Sequence, residues 1–160
     1  MKYSLFHSIA LAALALTLAL LAAPSSAQTA AETPAAAPVR EENIDLLKLV
    51  PGARMPEGQR AIFEPRVVRF TAKLARMPAP QKTDYLKKVM SMMGFNNPPA
   101  VSQSVALEYG GDRPLAAYVE EQAAARIARE AKTGERYNFS ALYVYNNRFG
   151  PALIVTSFSQ

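Results

Sequence analysis

The hydrophobic pattern of this chain changes period several times, and each change predicts an element. Between Arg136 and Phe158 the residues alternate, so that Tyr137, Phe139, Ala141, Tyr143 and Tyr145 fall on one face under a period of two. Aromatic and β-branched residues fit a pleated, half-buried surface, and the Asn-Asn-Arg-Phe-Gly-Pro segment between the two runs marks a reversal. The pattern predicts a C-terminal hairpin. A second alternating run spans Arg60 to Arg76 and sets Val68, Phe70, Ala72 and Leu74 against Val67, Arg69, Thr71 and Lys73. Pro65 confines itself to the beginning of this strand, a bulge or an edge, and Pro78 and Pro80 are expected to end it. A third run, Val101 to Tyr109, places Val101, Val105, Leu107 and Tyr109 against Ser102, Ser104 and Glu108. Gly110-Gly111-Asp112 reads as a tight turn leading to a short strand at Leu115 to Val119.

Between these runs the period becomes helical. From Gln81 to Met93 the residues Tyr85, Leu86, Val89, Met90 and Met93 form one stripe, with Lys82, Lys87 and Lys88 facing mainly elsewhere and Gly94 placed as a left-handed cap. From Glu120 to Lys132 a face of small residues, Ala123, Ala124, Ile127, Ala128 and Ala131, follows an acidic start and meets a basic end, as the helix dipole favours. A shorter helix is predicted around Ile44 to Val50, behind Glu41-Glu42-Asn43 and ahead of Pro51-Gly52. The order is helix, strand, helix, strand, strand, helix, strand, strand. That predicts an α+β class with a five-stranded, mostly antiparallel sheet. A helix between the third and fourth strands matches a small OB-like barrel, and the first and fourth strands are long enough to curve between two halves of one. The same order also reads as a ferredoxin-like βαββαβ unit with one C-terminal strand added.

One mismatch in the hairpin bears on partners. Asn138 and Ser140 oppose the aromatic face at the start of the strand, but Leu142 and Val144 replace them toward the turn, and Leu153 and Val155 repeat the pattern on the return. Both faces are then apolar there, and an exposed patch of that kind marks an interaction site. The expectation is that a partner or a second copy of the chain covers Leu142, Val144, Leu153 and Val155.

The N-terminal segment changes where the protein is expected to act. Met1 to Ala27 has a basic start at Lys2, an apolar run from Ile9 to Ala23 and small residues before Gln28, the anatomy of a cleaved signal peptide. Residues 28–40 are Ala, Pro and Thr with little else, which predicts a disordered linker, and 41–160 then forms a single domain. The expected location is outside the cytoplasmic membrane, periplasmic or secreted, with no membrane span left after cleavage.

Composition removes most chemistries. The chain has no cysteine, and its one histidine, His7, leaves with the signal peptide. Ser-His-Asp and Cys-His catalysis, disulfides and the usual zinc sites are therefore excluded from the mature protein, and neither a metal nor a cofactor is expected. Glu41-Glu42 and Glu120-Glu121 read as carboxylates at helix starts rather than a hydrolytic pair. Met90 and Met93 read as core filling. The remaining signal is the net charge of +5, with Arg66, Arg69, Lys73 and Arg76 on the first long strand and Arg136 and Arg148 on the hairpin. Basic residues near Tyr and Phe suit an anionic ligand, and for an exported chain an acidic glycan or other polymer is expected ahead of nucleic acid. The leading expectation is a non-catalytic envelope module binding a protein partner or an anionic polymer. A structural or oligomeric subunit of an envelope complex is the alternative, and a carboxylate-based hydrolase a distant one.

Overall fold

The computed structural model describes residues 41–160; the expected signal peptide at 1–27 and linker at 28–40 lie outside the described residues. The elements are β1 (Glu42–Asn43), α1 (Leu46–Gly52), β2 (Ala61–Pro80), α2 (Asp84–Met92), β3 (Val101–Glu108), β4 (Leu115–Glu120), α3 (Glu121–Glu130), β5 (Arg136–Asn147) and β6 (Gly150–Ser159). The class is α+β, with three helices on one six-stranded mixed sheet. Its order is β1-β2-β3-β4-β6-β5, and β2 also pairs with β5. Two pairings are parallel, β1 with β2 and β4 with β6, and the others are antiparallel. Among the described residues no helix is long and apolar enough to cross a membrane.

β2 organises the sheet because it is long enough to serve two partners. Its residues from Ala61 to Lys73 pair with β5, and those from Lys73 to Pro80 pair with β3. Pro78 does not end it as expected; the strand runs on to Pro80, its last residue. Beyond Lys73 the strand borders β3 alone, and on such an edge a missing N–H is tolerated. Pro65 falls in the register irregularity between Ile62 and Arg66, one of the positions its ring allows.

Alternation on β2 sends Val68, Phe70, Ala72 and Leu74 into the main core, where Tyr137, Phe139, Ala141 and Tyr143 of β5 meet them. Phe70 and Phe139 are register partners and stack with centroids 5.7 Å apart. Cross-strand aromatic pairs of this kind add to the roughly 1.5–3 kcal/mol that burying each large apolar side chain contributes. Ala123, Ala124 and Ile127 of α3 close the same core. α1 is capped by Asp45, whose side chain accepts from the Leu47 N–H at 2.9 Å. Leu46 and Val50 of α1 enter this core as well. Glu41 and Glu42 are not at the helix start; they precede and form β1, facing basic residues of β2. Gly150 has φ +117, which strains any other residue, and a side chain there would crowd a Val50 methyl at 3.1 Å, so glycine suits the close approach of the hairpin turn to α1.

A second core lies on the other face of the hairpin. Leu86, Val89 and Met90 of α2 pack with Val144, Tyr145 and Ile154, and Leu142 lies against the same cluster. The expected partner surface is corrected by this packing. Val144, Leu153 and Val155 are fully buried within the chain, and Leu142 is half-buried. The four residues do not share a face either: Leu153 and Val155 belong to the main core. The register explains why, since Leu142 faces Ile154 and Tyr143 faces Leu153, one position away from the phase the sequence suggests. A slip of one residue exchanges the two faces of a strand.

Two further positions depart from simple alternation. The register of β5 on β6 shifts between Tyr143 and Tyr145, and the extra residue turns Tyr145 away from the main core into the second. A shift between Val101 and Gln103, on β3 against β4, likewise separates Val101 from Val105 and Leu107. Bulges rotate side chains in this way without changing the residue types around them.

Candidate functional site

The six basic residues singled out in the sequence do not form a free basic face. Arg66 pairs with Glu42 at 3.3 Å, Arg69 with Glu41, and Lys73 with Glu108 at 3.0 Å. On the hairpin, Arg148 pairs with Glu57. Arg76 and Arg136 have no ion pair among the described residues; Arg136 lies opposite Lys73 in the ladder, while Arg76 sits beyond the β5 pairing, at a bulge against β3. β1 is the reason for the pairing on the first half of β2, because its parallel register brings Glu42 opposite Val68 and its neighbours within reach of Arg66 and Arg69. Exposed pairs like these contribute little stability, typically about 0–1 kcal/mol, but each removes a cation from the inventory available to a ligand.

A well-formed cleft lies elsewhere. It has a volume of about 680 Å³ and runs between the loop before β2, the start of α2, the outer side of β3 and β4, and the tip of the β5–β6 hairpin. That volume falls within the roughly 300–1,000 Å³ usual for ligand sites. Each wall has a local cause. The loop before β2 is tied to the hairpin by the Met55 N–H donating to the Asn147 carbonyl at 3.0 Å. The hairpin tip is shaped by Asn147, whose side chain accepts from the Phe149 N–H at 2.7 Å. The floor contains Tyr145, delivered there by the β5 bulge, and Tyr118 of β4, their hydroxyls 3.3 Å apart. Ser104 of β3, expected on a wet face, is buried beneath it.

Aromatic rings and guanidinium groups alternate around this cleft. Arg60 stands over the Tyr85 ring with its guanidinium carbon 3.9 Å from the centroid. Tyr85 in turn meets Tyr145 edge-on, 5.2 Å between centroids at 81°. At the hairpin tip the half-exposed Phe149 has Arg148 at 4.6 Å and Arg113 at 5.8 Å from its ring centre. Such contacts hold cations in place without neutralising them. Arg60 and Arg113 have no carboxylate partner among the described residues, whereas Arg148 has Glu57. Burial, and then the hydrogen bond with Tyr118, raise the Tyr145 hydroxyl far above the usual phenol range, so it stays protonated at physiological pH.

This arrangement can bind an anion and present hydroxyl and amide groups beside it. Among the described residues no three carboxylate or imidazole groups are grouped to hold a metal ion. Of the six basic residues singled out in the sequence, Arg148 alone lines the cleft. Arg60, Arg113, Tyr85 and Tyr118 were missed, although the two arginines stand in loops next to Gly58 and Pro114, where binding residues concentrate.

No known protein-family model matches the chain, and neither does any curated protein or solved structure at a significant level.

Proposed function

We propose that this protein is a small exported module of the cell envelope, without catalytic activity, that binds an anionic polymer in the cleft beside the hairpin tip. We further propose that its sheet is an OB-type small barrel. The neighbours of β2 support the second statement: β3 on one side and β5 on the other, with β4 and β6 pairing in parallel and α3 between β4 and β5. In a ferredoxin-like unit the first long strand would border the third; here β2 borders the second and fourth. OB-type barrels take oligonucleotides and oligosaccharides on the face of their second and third strands and on the loops that follow the first and fourth. The cleft occupies the corresponding elements, β3, β4, the α2 connection and the hairpin tip.

The observation that carries the binding reading is the pair Arg60 and Arg113, two exposed guanidiniums lining one cleft, held against aromatic rings and free of carboxylates among the described residues. The leader pattern of residues 1–27 supports export. The absence of cysteine and of any histidine after His7 supports a non-catalytic role. Fluorescence anisotropy with labelled polyanions tests the reading. Binding at low salt that weakens as salt is raised, and that is lost in the double variant Arg60→Glu with Arg113→Glu, is expected. A protein that binds no polyanion under any of these conditions overturns it.

A further inference from the structure

We infer that the ligand of this cleft is an acidic glycan, a sugar chain carrying carboxylates at intervals, rather than a single-stranded nucleic acid. The inference rests on the anion-binding reading above and names its substrate class.

Single-strand nucleic-acid sites offer bare aromatic faces on which successive bases stack. The aromatic rings here are already engaged. Arg60 covers Tyr85 at 3.9 Å, and Tyr145 abuts the same ring edge-on and is itself buried. Tyr118 is half-buried against the second core, with its hydroxyl turned to that of Tyr145. Phe149, the exposed ring, has two guanidiniums beside it. A base would have to displace a cation before it could stack.

The polar groups that remain suit a sugar chain. Gln59, Gln81, Asn147 and the Tyr118 hydroxyl line the cleft with uncharged donors and acceptors, against two cations free of ion pairs among the described residues. Hydroxyls and amides at this density match a ligand with several hydroxyls for each charge. A phosphodiester strand has a charge at every residue and fewer hydroxyls to satisfy. A guanidinium held over a ring keeps its in-plane N–H edge available, and that edge fits a planar carboxylate in bidentate geometry.

The test compares three labelled probes on the purified protein by fluorescence anisotropy: an oligogalacturonate hexamer, a neutral glucan hexamer and an oligothymidylate strand. The expected order is oligogalacturonate tightest, with about ten-fold weakening in Arg60→Gln and again in Arg113→Gln, and a smaller loss in Tyr118→Phe. Both arginines are exposed, so these variants keep the fold, which circular dichroism checks; Arg76→Gln, outside the cleft, leaves affinity unchanged. Oligothymidylate binding as tightly as the acidic glycan overturns the glycan assignment while leaving the anion cleft standing. Equal binding of the neutral glucan overturns the assignment of the acidic groups to Arg60 and Arg113. If none of the three binds, the inference and the cleft reading fail together.

Discussion

Two strips of this molecule carry arginine, and they differ in what stands opposite. Along the first half of β2, Arg66, Arg69 and Lys73 each meet a carboxylate, two of them supplied by the short parallel strand β1. Around the cleft, Arg60 and Arg113 meet the faces of Tyr85 and Phe149. A carboxylate cancels a cation toward solvent, while an aromatic face orients it and leaves its charge uncompensated. Counting basic residues along the chain therefore favours the strip whose cations already have carboxylate partners. Binding capacity follows from the partner each cation already has.

The largest effect is expected from removing the support that only the cleft strip uses. The cleft floor rests on the second core, where Val144 is fully buried against α2. Val144→Asp should destabilise the domain by about 3–5 kcal/mol or prevent folding, since it buries an unpaired carboxylate. Chemical denaturation measures this. A variant of unchanged stability would mean that α2 does not cover this face.

Next in size is the direct contrast between the strips. Arg60→Glu with Arg113→Glu should weaken polyanion binding by about a hundred-fold. Arg69→Glu with Lys73→Glu should change binding by less than about three-fold and stability by about 1 kcal/mol at most, as expected for exposed pairs. Anisotropy titrations and thermal melts on the two double variants compare them directly, and a reversed ranking would return the site to β2.

A smaller gain is expected from Glu57, whose carboxylate engages Arg148 at the cleft lip. Glu57→Gln frees that guanidinium and should tighten anionic ligands by a few-fold at low salt, with the advantage fading as salt rises. A loss of affinity would show that Glu57 serves the ligand rather than competing with it.

The smallest effect concerns pH. Tyr145 is held protonated in the folded state mainly by burial, and Tyr143, also raised by burial, behaves in the same sense. The unfolded chain releases these protons near the ordinary phenol value of about 10, so above that pH the unfolded state binds fewer protons than the folded one. Stability is then fully present below about pH 10 and declines as pH rises further. Tyr145→Phe should flatten part of that alkaline decline, which urea titrations at a series of pH values would register.

The sequence by itself determined the three helices and five of the six strands, though not the short β1, together with the inner faces of their regular stretches and the chemistry available. Val68, Phe70, Ala72 and Leu74, with Tyr137 to Tyr143 at every second position, point inward because period-two alternation is written locally in residue type. The lack of thiols, and of imidazoles beyond His7, is a property of composition that no fold can change. Tertiary structure decided everything that depends on register or on residues far apart in the chain. One bulged residue sends Tyr145 to the cleft floor, and one step of phase on β6 exchanges Leu153 for Ile154, with no trace in the alternation itself. α2 covers the hairpin face for which a partner was expected, because the docking of a helix is set by packing rather than by its own stripe. Which arginines are free was settled by approach across the fold: Glu42 lies 24 positions from Arg66 and Glu57 lies 91 from Arg148, separations at which a periodic reading carries no information.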